Sequence, residues 1–150
     1  MIANKVFVGY DTREDIAYQV CEHSIWQHNK DIEVVPLKQQ ELRDNKLYWR
    51  GEDKLASTEF TFTRFLIPHL MNYEGWALFC DSDIVFLEDV DNLFALRDDK
   101  YAVMCVQHDY TPKPGTKMDG QVQTQYPRKN WSSVVLWNCG HPSNQKITVD

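Results

Sequence analysis

The sequence has no apolar run approaching the roughly 20 residues that a bilayer-spanning helix needs, so no transmembrane segment is expected. Its opening residues, Met-Ile-Ala-Asn-Lys, lack the long apolar segment of a secretory signal. There is no basic block, and the net charge is −6. That argues against general nucleic-acid binding, which depends on a positive face. It leaves room for a phosphorylated ligand, because a bound cation would offset the local charge. No Cys-x-x-Cys occurs; Cys21, Cys80, Cys105 and Cys139 are widely spaced, each in or beside an apolar segment. Buried thiols in a reducing, cytoplasmic setting fit this better than disulfides or a zinc site. Repeats and low-complexity segments are also missing. What remains is 150 residues of ordinary soluble composition, enough for one domain with a real core and too few for two.

The chain is organised around Trp76-Ala-Leu-Phe-Cys-Asp81-Ser-Asp83-Ile-Val-Phe-Leu87. On a strand, residues at i and i+2 share a face, so Asp81 and Asp83 would point the same way. Two carboxylates that close raise each other's pKa unless a positive charge lies between them. A hard divalent cation, Mg²⁺ or Mn²⁺, suits carboxylate oxygens. The alternative is a turn with two solvated aspartates. The apolar runs Trp76–Cys80 and Ile84–Leu87 weigh against a surface turn.

In chain order, residues 5–11 read as a buried strand ending at Gly9 and Asp11. Thr12 with Asp15 suggests a capping box, followed by a helix to about His28. Ala17, Val20, Cys21, Ser24, Ile25 and His28 form its expected inward stripe, with His23 and His28 as surface or packing residues. Residues 32–37 read as a second strand, and Pro36 suits a sheet edge or a strand end. Strand, helix and strand make a right-handed βαβ unit. A short helix and loop are expected over 38–54, where Tyr48 and Trp49 either anchor the loop or stack on a ligand. Residues 56–71 predict a helix buried nearly all round, capped by Ser57 or Thr58 and kinked by Pro68. Arg64 within it needs either a structural carboxylate or an anionic ligand.

Residues 88–96 suggest a turn and a short helix, with Asp89 and Asp91 as caps or solvated charges rather than ligands. A buried strand over 101–106 would end in Gln107-His108-Asp109, and a long polar segment covers 111–129. The last strand spans 131–138. Three expected strands thus end in polar groups, at Asp11, at Asp81–Asp83 and at His108–Asp109. Ligands of parallel α/β sheets collect at the carboxyl ends of strands. A cation held there by only two carboxylates keeps open positions that substrate phosphates commonly fill. The residues therefore suggest an enzyme acting on a phosphorylated or nucleotide substrate.

Three blocks together resemble the GT-A glycosyltransferases, family 8 most closely. They are Val6-Phe-Val-Gly-Tyr-Asp11, Ser57-Thr-x-Phe-x-x-Thr-Arg64-Phe-Leu-Ile-Pro68 and Phe79-Cys-Asp81-Ser-Asp83-Ile-Val. The resemblance implies an α/β, Rossmann-like GT-A nucleotide-sugar-binding fold, with a mostly parallel central sheet and helices on both faces. It implies a nucleotide-sugar donor, most often UDP-linked, and a saccharide or other hydroxyl acceptor, with retention of anomeric configuration. At the matching positions it places Gly9, Tyr10, Asp11, Arg13, Thr58, Arg64 and Ser82 near the donor, and Asp81 and Asp83 on Mn²⁺ or Mg²⁺. The chain departs from the family in two places. Trp131-Ser132-Ser133, with Asn130 one residue off, stands where family members carry Asn-Ser/Ala-Gly. The C-terminal histidine that supplies the family's third metal ligand has no counterpart; His141, followed by Pro142, is not a convincing one. A single domain over 1–150, C-terminally incomplete, is the expectation. Two other readings are a haloacid-dehalogenase-like phosphatase with Asp81 as nucleophile, and a domain that binds nucleotide sugar without catalysis.

Overall fold

A computed structural model describes residues 3–107, 115–116, 122–123 and 131–150. The described residues include seven strands: β1 (Lys5–Gly9), β2 (Glu33–Leu37), β3 (Trp76–Cys80), β4 (Val103–Cys105), β5 (Gly115–Thr116), β6 (Val122–Gln123) and β7 (Val134–Asn138). The α-helices are α1 (Asp15–His28), α2 (Gln39–Asp44), α3 (Ile67–Leu70) and α4 (Asp91–Phe94). The main sheet has the order β2-β1-β3-β7-β4, and β5 pairs with β6 apart from it. β1 lies parallel to β2 and to β3, while β7 runs antiparallel to both β3 and β4. Within this sheet β7 alone opposes the common direction, so the expected mostly parallel sheet is a mixed one with a single reversed strand. The βαβ unit of β1, α1 and β2 forms as expected, and Pro36 sits on the edge strand β2.

Alternation along the central strands divides the core. Val6, Val8, Leu78 and Cys80 face α1 and α4, where they meet Tyr18, Cys21, Ile25, Val90 and Phe94. Phe7, Ala77, Phe79, Val135 and Trp137 face the other way, against Phe60, Ile67 and Met71. The sheet is covered on both faces, and β3, the third of its five strands, is buried along its whole length. No helix of the described residues is long and apolar enough to cross a membrane.

Several local expectations change. Asp11, not Thr12, caps the first turn: its carboxylate accepts from the Arg13 backbone N–H at 3.0 Å. The inward face of α1 is Tyr18, Cys21, Ser24 and Ile25, while Val20 and His28 point outward. Tyr18 turns in because its ring fills space beside Tyr10 and its hydroxyl still reaches Glu22. No long helix spans residues 56–71. Turns lead into a 3-10 turn at Thr63–Leu66 and then the one-turn α3. The Thr61 hydroxyl bonds the Thr58 hydroxyl, accepts from the Thr58 N–H and donates to the Thr58 carbonyl, which competes with helix formation. Pro68 consequently lies in the first turn of α3, where its missing N–H costs nothing, and produces no kink.

β4 is half-exposed, not buried, because it is the outermost strand with β7 as its sole neighbour in the sheet; Cys105 is exposed with it. Val85 and Leu87 are also exposed, so the run after Asp83 is not a second buried strand. β7 begins at Val134, after a 3-10 turn at Trp131–Ser133. Asp89 accepts from the Asp91 N–H, and Asp89 and Asp91 both accept from Asn29 on the loop after α1; Val90 holds the cap position of α4, with no side-chain cap. His108, Asp109, Asn130 and most of 111–129 lie outside the described residues.

Candidate active site

Parallel pairing of β1 with β3 sets Val8 beside Cys80, so both strands deliver their following residues to one rim. After β1 come Tyr10 and Asp11; after β3 come Asp81, Ser82 and Asp83. β3 stops at Cys80, and the Asp-Ser-Asp triplet forms a turn rather than the end of a strand. Strand alternation therefore does not orient the two carboxylates. The Asp81 N–H donates to the Ser133 carbonyl at 2.9 Å, which ties this turn to the residues just before β7. Asp81 is partly buried, Ser82 is buried and Asp83 is exposed. The Ser82 hydroxyl has no hydrogen-bond partner among the described residues.

Arg64 reaches the same turn. Its Nη2 lies 3.4 Å from Asp81 Oδ1, and its side chain is only 12% exposed. Its Nη1 donates to the Ser132 carbonyl at 2.7 Å and its Nε to the Phe60 carbonyl at 3.3 Å. The guanidinium carbon is 4.8 Å from the Phe79 ring centroid and 5.6 Å from that of Phe60. Burial pushes the guanidinium pKa down, and the Asp81 charge opposes that shift. An arginine stays charged under such conditions. Of the two partners open to Arg64 in the sequence, the carboxylate is present, and it is the candidate metal ligand itself.

Asp11 faces inward. Its fully buried carboxylate accepts from Arg13 Nε at 2.9 Å, Arg13 Nη2 at 2.7 Å and the Glu59 N–H at 3.1 Å. The Arg13 hydrogen bond holds its pKa below the usual carboxylate range, against the opposing effect of burial. Asp11 thus fixes Arg13 and the backbone at residue 59. Tyr10 lies under the Lys38 ammonium, 5.1 Å from the ring centroid, and its hydroxyl donates to Asp15. Gly9 is required for packing: a Cβ there would fall 2.5 Å from the Phe60 ring.

Past the ends of β1 and β2 lies a cavity of about 420 Å³. Arg13, Arg43, Tyr48, Lys54, Thr58 and Phe62 are among the residues lining it. Arg13 and Thr58 thus belong to one hollow, while Arg64, Asp81, Ser82 and Asp83 gather at the end of β3. Tyr48 is buried and anchors its loop under Arg43; Trp49 is exposed. Reading the sequence missed Phe60 and the carbonyls of Ser132 and Ser133. Carbonyl positions leave no residue-type signal. Phe60 had one, in the bare Cα of Gly9.

Among the described residues no group of three His, Cys, Asp or Glu side chains converges as a metal site. His141 is remote from the pair. Antiparallel register sets Asn138 beside Trp76, so His141 follows the end of β7 next to the start of β3, whereas Asp81 follows the other end. The five residues of β3 span about 16 Å at ~3.3 Å per residue.

The chain is 60% identical over 147 residues to Protein CDI of Arabidopsis thaliana, an alignment covering 97% of this chain and 57% of that protein. The chain thus spans little more than half the length of this curated relative. Its fold is similar to that of the WbbM bifunctional glycosyltransferase, with a TM-score of 0.63 and 15% identity over 95% of this chain and 32% of that one. It is also similar to the glycosyltransferase GlyE of Streptococcus pneumoniae TIGR4, with a TM-score of 0.61 and 16% identity over 98% of this chain and 37% of that one. At such identities the likeness is one of fold, and the fold is that of GT-A glycosyltransferases. The model of Glycosyl transferase family 8 matches residues 11–140, most of the molecule, and the chain belongs to that family.

Proposed function

We propose that this chain carries the donor site of a metal-dependent glycosyltransferase. The donor is a UDP-linked hexose, and the acceptor is a saccharide or another hydroxyl compound. The glycosidic carbon exchanges its bond to a diphosphate oxygen for a bond to the acceptor oxygen, with retention of configuration as the family likeness suggests. One observation carries the reading: parallel β1 and β3 end side by side, setting Arg64, Asp81, Ser82 and Asp83 beside the strand that leads to Arg13 and its cavity.

The donor atoms fit a hard divalent cation. Asp81 and Asp83 offer carboxylate oxygens from one turn, and the buried Ser82 hydroxyl beside them has no partner among the described residues. Asp81 and Asp83 would hold Mn²⁺ or Mg²⁺. When bound, the ion supplies Lewis-acid charge that offsets the negative charge of the departing diphosphate. Arg64 supplies a second positive charge in a largely desolvated position, where it acts more strongly than in water. Arg13 and Thr58 would take the nucleoside end, in the cavity. Asp11 acts on the donor only through Arg13, since its own oxygens are used internally. Tyr10 and Gly9 shape the wall.

A second reading, nucleotide-sugar binding without transfer, draws on the two-residue carboxylate set. The phosphatase reading gains nothing from the family match. Thermal shift with UDP and UDP-sugars, with and without Mn²⁺, tests the donor site. UDP-sugar hydrolysis separates the two readings, and phosphate release from p-nitrophenyl phosphate without a sugar donor would restore the third.

A further inference from the structure

Arg64 lies against the carboxylate that the cation proposed above would take. The guanidinium sits 3.4 Å from Asp81 Oδ1, held by the Ser132 and Phe60 carbonyls and flanked by the Phe60 and Phe79 rings. A divalent ion arriving alone meets an Asp81 whose charge is already offset. A nucleoside diphosphate offers Arg64 a more highly charged partner, with pairs of phosphoryl oxygens that the planar guanidinium can engage bidentately. Moving Arg64 from Asp81 to the diphosphate exposes the carboxylate to the ion, and the ion in turn binds the diphosphate.

We propose that Arg64 is a built-in place-holder for the metal, making metal and nucleoside diphosphate bind cooperatively. The proposal rests on the donor-site reading. Arg64 keeps the metal from binding tightly before the nucleotide, so that the loaded site assembles as a unit. Coupling of this kind is reciprocal: whatever factor the diphosphate adds to metal affinity, the metal adds to diphosphate affinity. A purely structural Arg64 predicts the opposite sign for metal binding alone, because removing it would disorder the turn at Asp81 and weaken the site.

The test is Mn²⁺ binding followed by electron paramagnetic resonance of the free ion, without nucleotide, in the wild-type chain and in Arg64→Met. Methionine retains a flexible apolar stem against Phe60 and Phe79 while removing the charge. Arg64→Gln is the second variant, and circular dichroism melting confirms that each is folded. Removing the guanidinium is expected to tighten Mn²⁺ binding about tenfold, a size typical of coupled sites. UDP binding in metal-free buffer, read by calorimetry, is expected to weaken by about the same factor. In the wild-type chain, Mn²⁺ is expected to tighten UDP binding at least tenfold beyond its affinity for free UDP, a measurement that needs no variant. Unchanged or weaker Mn²⁺ affinity in a folded variant overturns the place-holder role while leaving the donor site intact; additive binding of Mn²⁺ and UDP in the wild type overturns the metal-dependent donor site and this role together. Absence of any UDP binding with Mn²⁺ overturns the donor site and this role together.

Discussion

The Phe60 ring lies directly over the bare Cα of Gly9, so close that a methyl group on Gly9 would fall 2.5 Å from a ring carbon. The same phenylalanine accepts from Arg64 Nε through its carbonyl, and Arg64 reaches Asp81. A packing contact at the end of β1 therefore supports the charge pair at the end of β3.

Gly9→Ala forces that ring aside. Overpacking of this kind costs about 1–3 kcal/mol, and the substitution is expected to lower the urea midpoint by the corresponding amount with an unchanged slope. The displaced Phe60 also loosens Arg64, so the Mn²⁺-dependent response to UDP should weaken. Wild-type stability in Gly9→Ala would show that the loop at residue 60 yields freely.

Asp81→Asn and Asp83→Asn separate stability from metal binding. Asp81→Asn leaves a largely buried guanidinium without its carboxylate and should cost about 1–3 kcal/mol, the range for losing a partner of a buried polar group. Asp83 is exposed, and Asp83→Asn should change stability by less than about 0.5 kcal/mol. Both should abolish the Mn²⁺-dependent thermal shift with UDP. A retained shift in Asp83→Asn would remove that residue from the ligand set.

Asp11 gives the stability a defined acid limb. Its folded pKa is depressed, chiefly by the Arg13 hydrogen bond, so its contribution is complete above the unfolded value of about 3.9. That contribution is lost as pH falls through the lower, folded value. Asp11→Asn removes the charge that Arg13 and the Glu59 N–H are built around. It should destabilise the protein at pH 7 and flatten the fall in melting temperature below about pH 4. An unchanged acid limb would assign the acid sensitivity to other carboxylates.

The thiols should divide by burial. Cys21, Cys80 and Cys139 are buried and Cys105 is exposed. The hydrogen bond with Cys21 and burial both raise the Cys80 thiol, and burial pushes Cys139 up to about 12. Ellman's reagent should therefore titrate one thiol in the native protein and all four after denaturation. Rapid reaction of a second thiol would mean that the core around β3 opens readily.

The central strands were legible because each is a short apolar run closed by a polar residue, and Pro36 marked its strand as an edge. The segment over 56–71 was not. Its apolar residues recur at helical spacing, but Thr58 and Thr61 satisfy one another, and a threonine's choice between backbone and neighbour leaves no trace in periodicity. β4 read as buried because Val103-Met-Cys-Val106 is apolar throughout; that it is outermost is a property of the sheet, not of its own residues. Asp81 and Arg64 were recognisable separately, as residues that each need a partner. Their pairing spans elements seventeen residues apart and follows from the path of the chain. Asp11 was marked as a donor contact; its carboxylate is buried and taken up by Arg13 and the Glu59 N–H, a partnership that residue type alone does not reveal.

The most direct test of the donor site is the UDP-binding isotherm of the wild-type chain, measured by calorimetry with Mn²⁺ and again with a chelator. A metal-dependent donor site predicts binding with Mn²⁺ that weakens at least tenfold on chelation and is lost in Asp81→Asn. Equal binding in both buffers, or none in either, would contradict it.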